Sequence, residues 1–237
     1  FYQPGPVPEL DHYKYVLLSN SAYTWPTSEY ILEVEFKDAT AKVDHAKVED
    51  SPFCRDVATD NDYRFGSGLF SVYSAETGLI FGFLITNDRV YGYYDRLPFQ
   101  RDPLGNYAAF TYVFPLKHTK CKKAHDLKIG LDQKYETVTY WVDGHRKMRF
   151  GNIGMHWHHF FMVGDMGGNQ VPTFPQSIQI QFGTYALLDM YPACKDNNDC
   201  NFPDERMALV NSADVYAPKR FNPICGPPAP AVYWEPI

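Results

Sequence analysis

Tyr135-Glu-Thr-Val-Thr-Tyr-Trp-Val-Asp-Gly-His-Arg-Lys-Met-Arg-Phe150 reads as two strands joined by a turn. From Tyr135 to Val142 apolar and polar residues alternate, the period of a half-buried strand. Asp143-Gly144 fills two central turn positions, and His145 to Phe150 returns. A type I′ hairpin turn needs positive φ at both central residues, which Asp and Gly tolerate, so Asp-Gly between alternating runs predicts a β-hairpin.

The same grammar extends in both directions. Tyr30 to Phe36 alternates, with Ile31, Glu33 and Glu35 on one side and Leu32, Val34 and Phe36 on the other. Gly68 to Ser74 and Leu79 to Ile85 are joined across Ala75-Glu76-Thr77-Gly78. Thr86-Asn87-Asp88-Arg89 turns into Val90 to Arg96. Tyr107 to Leu116, Asp126 to Leu131, Ser177 to Thr184 and Met207 to Tyr216 supply further runs, and no convincing amphipathic helix interrupts them. Short strands at this spacing predict an all-β, antiparallel two-sheet β-sandwich; a calycin-like β-barrel is the alternative. No repeat or linker divides residues 1–237, so a single domain is expected, with extended proline-rich segments at 1–9 and 218–237.

Leu127-Lys-Ile-Gly-Leu131 followed by Thr137-Val-Thr-Tyr-Trp-Val-Asp-Gly144 resembles the concanavalin-like jelly-roll sandwiches of lectins and glycan-cleaving enzymes. Four further stretches resemble an uncharacterised bacterial and fungal family defined as a domain of unknown function. They are Asp11-His-Tyr-Lys14, Phe83 to Tyr91, Tyr94-Asp-Arg-Leu-Pro-Phe99 and Phe182 to Asp189. That second resemblance implies a shared fold and transfers no activity.

Composition narrows the function classes. Aromatic residues make up 16% of the chain, with 18 Tyr and 17 Phe, which suits pleated surfaces and also stacking on sugar rings. The net charge is −6 and the basic run Lys117 to Lys123 is short, which argues against nucleic acid. No stretch approaches the ~20 apolar residues that span a bilayer. Five cysteines, at 54, 121, 194, 200 and 225, lean towards an oxidising compartment and hence a secreted protein. The start at Phe1, without an initiator Met, fits either a mature end left by signal removal or an arbitrary start. Cys194 and Cys200 flank a polar loop and suggest a local disulfide. Cys54, Cys121 and Cys225 could supply a second bridge in any pairing, with one thiol left over. Five reduced cysteines in a cytosolic protein is the alternative.

Candidate functional residues fall into three groups. Tyr91, Tyr93 and Asp95 share one face of their strand, and Tyr94 and Arg96 the other. With Arg101 and Trp157 they form a candidate ligand-binding set: rings stack on a sugar while Asp and Arg bind its hydroxyls or a carboxylate. Second, Tyr94, His156, His158 and Arg96 could supply the base, acid and carboxylate neutraliser of a lyase. His156 and His158 also have metal-like His-x-His spacing, but no carboxylate follows until Asp165, and no metal site is predicted. Third, Glu33 and Glu35 are paired carboxylates without a completed glycosidase motif; with Lys37 and Asp38 beside them they read as a solvated strand face. No cofactor is expected beyond a possible structural Ca²⁺ at Asp196, Asn197, Asn198 and Asp199. Three functions follow: a lectin-like binder of carbohydrate or another polar ligand, a polysaccharide lyase or hydrolase or small-molecule lyase or isomerase using Tyr, His and Arg, and a structural or assembly protein able to form homo-oligomers.

Overall fold

The computed structural model of the chain describes residues 13–27, 29–42, 63, 66–185 and 220–221. Its strands are β1 (Tyr13–Leu18), β2 (Tyr23–Thr24), β3 (Ile31–Ala39), β4 (Ser67–Tyr73), β5 (Leu79–Ile85), β6 (Arg89–Arg96) and β7 (Phe110–His118). They continue as β8 (His125–Asp132), β9 (Thr137–Val142), β10 (His145–Phe150), β11 (Met162–Asp165), β12 (Ser177–Tyr185) and β13 (Arg220–Phe221). A large sheet runs β1-β12-β4-β5-β6-β7-β11-β13, with β2 beside β12, and a small sheet runs β10-β9-β8-β3. The ladders between the strands are antiparallel. No ladder joins the two sheets among the described residues, so the chain is a two-sheet β-sandwich and the closed barrel does not form.

Turn chemistry sets the meanders. β4 to β6 follow one another through short connections, and a longer one with the helical turns Pro98–Gln100 and Arg101–Leu104 leads to β7; between β5 and β6, Thr86 N–H donates to Arg89 O at 2.9 Å and Arg89 N–H to the Thr86 hydroxyl at 3.1 Å. At the β9–β10 turn Asp143 and Gly144 have φ of 52° and 76°, the two positive values a type I′ hairpin requires.

The main core lies between the sheets. Phe81, Phe83, Tyr94, Phe110, Tyr112 and Phe114 from the large sheet meet Leu127, Ile129, Leu131, Val138, Tyr140 and Val142 from the small one. Tyr140 carries its polar end across the core and donates from Oη to the backbone carbonyl of Tyr93 at 2.8 Å. Phe114 lies over Gly92, where a Cβ would meet the ring at 2.1 Å; the glycine is what lets the ring settle on the sheet.

The outer face of the large sheet is buried as well. Leu69, Ile80, Leu84, Tyr91, Tyr93, Val113, Val163 and Tyr185 form a second apolar cluster there. This explains why β5 is buried at every position and does not alternate. β3, in the small sheet, does alternate, and its outward Ile31, Glu33, Glu35 and Lys37 are exposed.

Gly164–Gly168 supplies the end of β11, between β7 and β13, and a segment pinned by Arg101, which donates from Nη2 to Met166 O at 3.2 Å and to Gly167 O. β1, β2, β11 and β13 were not anticipated; β1, for example, pairs with β12, so that Leu18 meets Gln181. The predicted strand at 207–216, the Cys194–Cys200 bridge and the Asp196–Asp199 loop lie outside the described residues, as do Cys54 and Cys225. Cys121 is an exposed free thiol.

Candidate functional site

Strand β6 separates its residues as its period demands, yet both faces are sealed. Tyr94 and Arg96 point into the core side and are 0% and 2% exposed. The Tyr94 hydroxyl accepts from Gly154 N–H at 2.8 Å. Burial pushes that hydroxyl well above the ordinary tyrosine value, although the Gly154 bond and the Arg96 charge pull the other way. Arg96 donates from Nη1 to Gly154 O at 2.7 Å and Val171 O at 2.9 Å, with its guanidinium 3.9 Å from the Tyr107 ring centroid. The pair therefore fastens the 151–174 segment to the sheet. A sealed tyrosine with a raised pKa is poorly suited to act as a base near neutrality.

Tyr91, Tyr93 and Asp95 lie on the opposite face of the large sheet, so the two halves of the expected ligand set do not share a cleft. Asp95 is fully buried and accepts from Tyr93 Oη at 2.6 Å and Thr111 Oγ1 at 2.9 Å. The Tyr91 ring meets Tyr63 edge-on, and Tyr93 meets Tyr185 in the same manner. Arg101 is buried, donating from Nε to Tyr107 O at 2.9 Å.

The histidine segment is closer to solvent. His156 packs edge-on against Phe110, which itself touches Tyr94, and its Nε2 stands 3.7 Å from Asp165 Oδ1. His158 is exposed; its Nδ1 accepts from Phe160 N–H at 3.3 Å and its ring stacks on His159. Those contacts hold His156 and His158 apart in role. Trp157 lies between Phe150 and Phe161, stacked at 5.0 and 5.2 Å, so both of its faces are taken by other rings. Its backbone N–H donates to Tyr112 Oη at 2.9 Å, and burial, aided by the charge of Asp165, pushes the Tyr112 hydroxyl up to about 12. Among the described residues no group of three or more His, Cys, Asp or Glu side chains could hold a metal ion.

What is wet, polar and aromatic is the outer face of the small sheet. There β9 presents the half-buried Thr137 and Trp141 with the buried Thr139 between them, while Val138, Tyr140 and Val142 enter the core. Trp141 pairs with Lys128 on β8 and Arg146 on β10. Its indole leans over Gly130, where a Cβ would meet Cζ3 at 2.8 Å and Cη2 at 2.9 Å. Lys128 Nζ stands over the ring, 4.5 Å from its centroid, and is held by Glu33 at 3.0 Å. Glu33 and Glu35 are exposed, in keeping with a solvated strand face. The rim continues through Arg149, which donates to Thr137 Oγ1 at 3.2 Å and lies 3.9 Å from Asp132. In sequence Trp141 reads as part of the hairpin pattern, which hides it as a ligand residue. Its parity, in register with Thr137 and Thr139, was the available signal: a large aromatic on the polar face of a strand.

At the mouth of the hairpin one carboxylate organises three elements. Asp143 Oδ2 accepts from His125 Nδ1 at 2.9 Å and from Lys117 Nζ, and Oδ1 accepts from Asp126 N–H at 3.1 Å. The other ring nitrogen of His125 contacts Thr119 Oγ1. Desolvation alone would raise Asp143, but the hydrogen bonds from Lys117, His125 and Asp126 outweigh it and hold the carboxyl well below the usual range. The turn that aims Trp141 and Arg146 is thereby clamped to β7 and β8.

The family model described as "Family of unknown function (DUF6081)" matches residues 1–200. The chain belongs to that family. "Uncharacterized protein L829" of Acanthamoeba polyphaga mimivirus is 24% identical over 185 residues, 55% of this chain and 43% of the relative. The DUF6081 chain thus spans less than half the length of this viral protein. Among solved structures, the Ruminococcus gnavus IT-sialidase CBM40 bound to α2,3-sialyllactose is similar with a TM-score of 0.27 and 14% identity, over 54% of this chain and 70% of that one. A structure described under endo-acting O-glycanases of the human gut microbiota has a TM-score of 0.31 and 18% identity, over 53% and 52% of the two chains. The apo Crh5 transglycosylase has a TM-score of 0.25 and 12% identity, over 61% and 54%. Likenesses of this degree carry no functional argument.

Proposed function

We propose that the protein is a lectin-like binding module for a carbohydrate, with its ligand on the outer face of the small sheet. The observation that supports this is the Trp141 platform. An indole leaning over a glycine offers apolar area at little conformational cost, and the side chains around it are hydrogen-bonding groups. Sugars need both, since a pyranose has an apolar C–H face and a ring of hydroxyls. Lys128, Glu33, Thr137 and Arg149 are preorganised by bonds to one another, so little side-chain entropy is lost on binding. The sandwich supplies rigidity, because Val138, Tyr140 and Val142 of the same strand are fixed in the core.

The test is a glycan array followed by titration of the hits, with Trp141→Ala and Gly130→Ala proteins beside the parent chain. Gly130→Ala keeps every ligand-contacting side chain but shifts the indole from its seat. Both substitutions are expected to weaken binding about tenfold or more, the scale of a 1.4 kcal/mol contact. Absence of binding to every glycan class, or unchanged binding by both variants, would refute the platform.

A further inference from the structure

We infer that the saccharide is acidic, with one carboxylate or sulfate on the contacting unit, and that Arg146 receives that group. This rests on the platform reading above and adds the ligand's charge and orientation.

The face of the small sheet is electrically graded. On its β3 side, Glu33 is engaged by Lys128, and Glu35 lies 3.6 Å from Lys37. On its β10 side Arg146 and Arg149 lie opposite the outward Trp141 and Thr139, with Lys147 between them in the chain. Arg149 is committed to Thr137 and Asp132. His145, Arg146 and Lys147 are exposed and have no hydrogen bond or ion pair from their side chains among the described residues. Arg146 is the one directly opposite Trp141 in the ladder. Cross-strand neighbours have Cβ atoms about 4.5–5.5 Å apart, within the span of one pyranose. The register shifts between Arg146 and Met148, so β10 carries an extra residue at this point and keeps Arg146 outward while Met148 turns to the core.

A guanidinium in that position is free to form a bidentate pair with a carboxylate or sulfate on a ring stacked against Trp141. The grading fixes direction: the acid lies towards β10 and the neutral hydroxyls towards Glu33 and Lys128. The chain's net charge of −6 disfavours a densely charged polymer. A single acidic group per contacting unit is therefore favoured over a polyanion.

Calorimetric titration with four ligands tests this. They are a uronic-acid oligosaccharide, the same compound with its carboxyl reduced to an alcohol, a monosulfated counterpart of that alcohol, and a heavily sulfated chain. The parent protein is expected to prefer the uronate and monosulfate over the alcohol by about tenfold, the worth of one charge-assisted contact. Arg146→Ala should abolish that preference while neutral binding persists, Arg146→Lys should restore part of it, and Trp141→Ala should weaken every ligand. Equal affinity for the uronate and its alcohol, or a preference surviving in Arg146→Ala, overturns the inference but leaves the platform standing. Tightest binding to the heavily sulfated chain overturns the single-acid assignment. Unchanged binding by Trp141→Ala overturns the platform, and this inference with it. Matching near-UV circular dichroism of the surface variants and the parent excludes misfolding as the cause of any loss.

Discussion

Replacing Asp143 separates the charge of the hairpin clamp from the shape of the turn. Asp143→Asn keeps an acceptor oxygen and tolerates the positive φ of 52°, but removes the charge. Asp143→Ala removes the acceptor as well and places a Cβ without a local hydrogen bond in the left-handed region. The structure sets the scale. His125 has a side chain 0% exposed, so losing its Nδ1 acceptor strands a buried donor, at about 1–3 kcal/mol. The Lys117 pair is partly exposed and adds about 0–1 kcal/mol. The left-handed conformation costs Ala about 1 kcal/mol more than it costs Asn or Asp. Asp143→Asn should therefore lose about 1–2 kcal/mol and Asp143→Ala about 3–4 kcal/mol. The assay is urea unfolding at pH values from 7 down to 3. Because the folded carboxyl titrates below its unfolded value of 3.8, its contribution is present above that value and is lost as pH falls below it. The gap between parent and Asn variant should accordingly be full at pH 7 and shrink below pH 3.8. An Asn variant as stable as the parent at pH 7, or a gap unchanged at pH 3, would show that the clamp is not electrostatic.

Arg96→Met keeps volume but leaves the Gly154 and Val171 carbonyls without their donor, and should cost about 3 kcal/mol in the same unfolding assay. Gly92→Ala drives a methyl into Phe114 and should lose about 2 kcal/mol or more, with a smaller effect in Phe114→Leu background where the ring is gone. The raised hydroxyls of Tyr94, Tyr112 and Tyr140 make folded stability fall as pH rises above 10; absorbance titration near 295 nm should show a late group of tyrosines that ionise at about 12 or only on unfolding. Alkylation of the native protein should modify Cys121, and intact masses with and without reductant then report on the proposed Cys194–Cys200 bridge.

Local turn chemistry made much of the fold legible. Asp143-Gly144, the β4–β5 turn and the β5–β6 turn each involve neighbours in sequence, so the meanders could be read directly. β1 and β11 could not, because what makes them strands is a partner far away: Val16 faces Gly183, and Gly164 faces Thr111. The site was harder for a related reason. Alternation assigned Tyr91, Tyr93 and Asp95 to one face and Tyr94 and Arg96 to the other, and the structure agrees. Alternation does not say which face meets water. In the large sheet neither does at these positions, so residues chosen as ligand groups serve as internal hydrogen-bond partners. Thr111 for Asp95, and Gly154 for Tyr94, come from elements that periodicity within β6 cannot reveal.

The same contrast explains why the small sheet is the better place for a ligand. A protein rich in tyrosine can use its rings as core or as platform, and the deciding variable is whether other rings pack against them. Trp157 sits between Phe150 and Phe161, and Tyr94 lies between Phe81 and Tyr112, stacked at 5.4 and 5.8 Å. Trp141 has no ring partner among the described residues; its companions are a glycine, a lysine and the polar rim. Its placement depends on the hairpin, and the hairpin on Asp143. Loosening the clamp should therefore weaken ligand binding through the position of Trp141 and Arg146, even though Asp143 touches neither side chain. If Asp143→Asn lowers stability yet leaves saccharide affinity intact, the platform is held by β8 alone, through Gly130 and Lys128, and the turn serves only the fold.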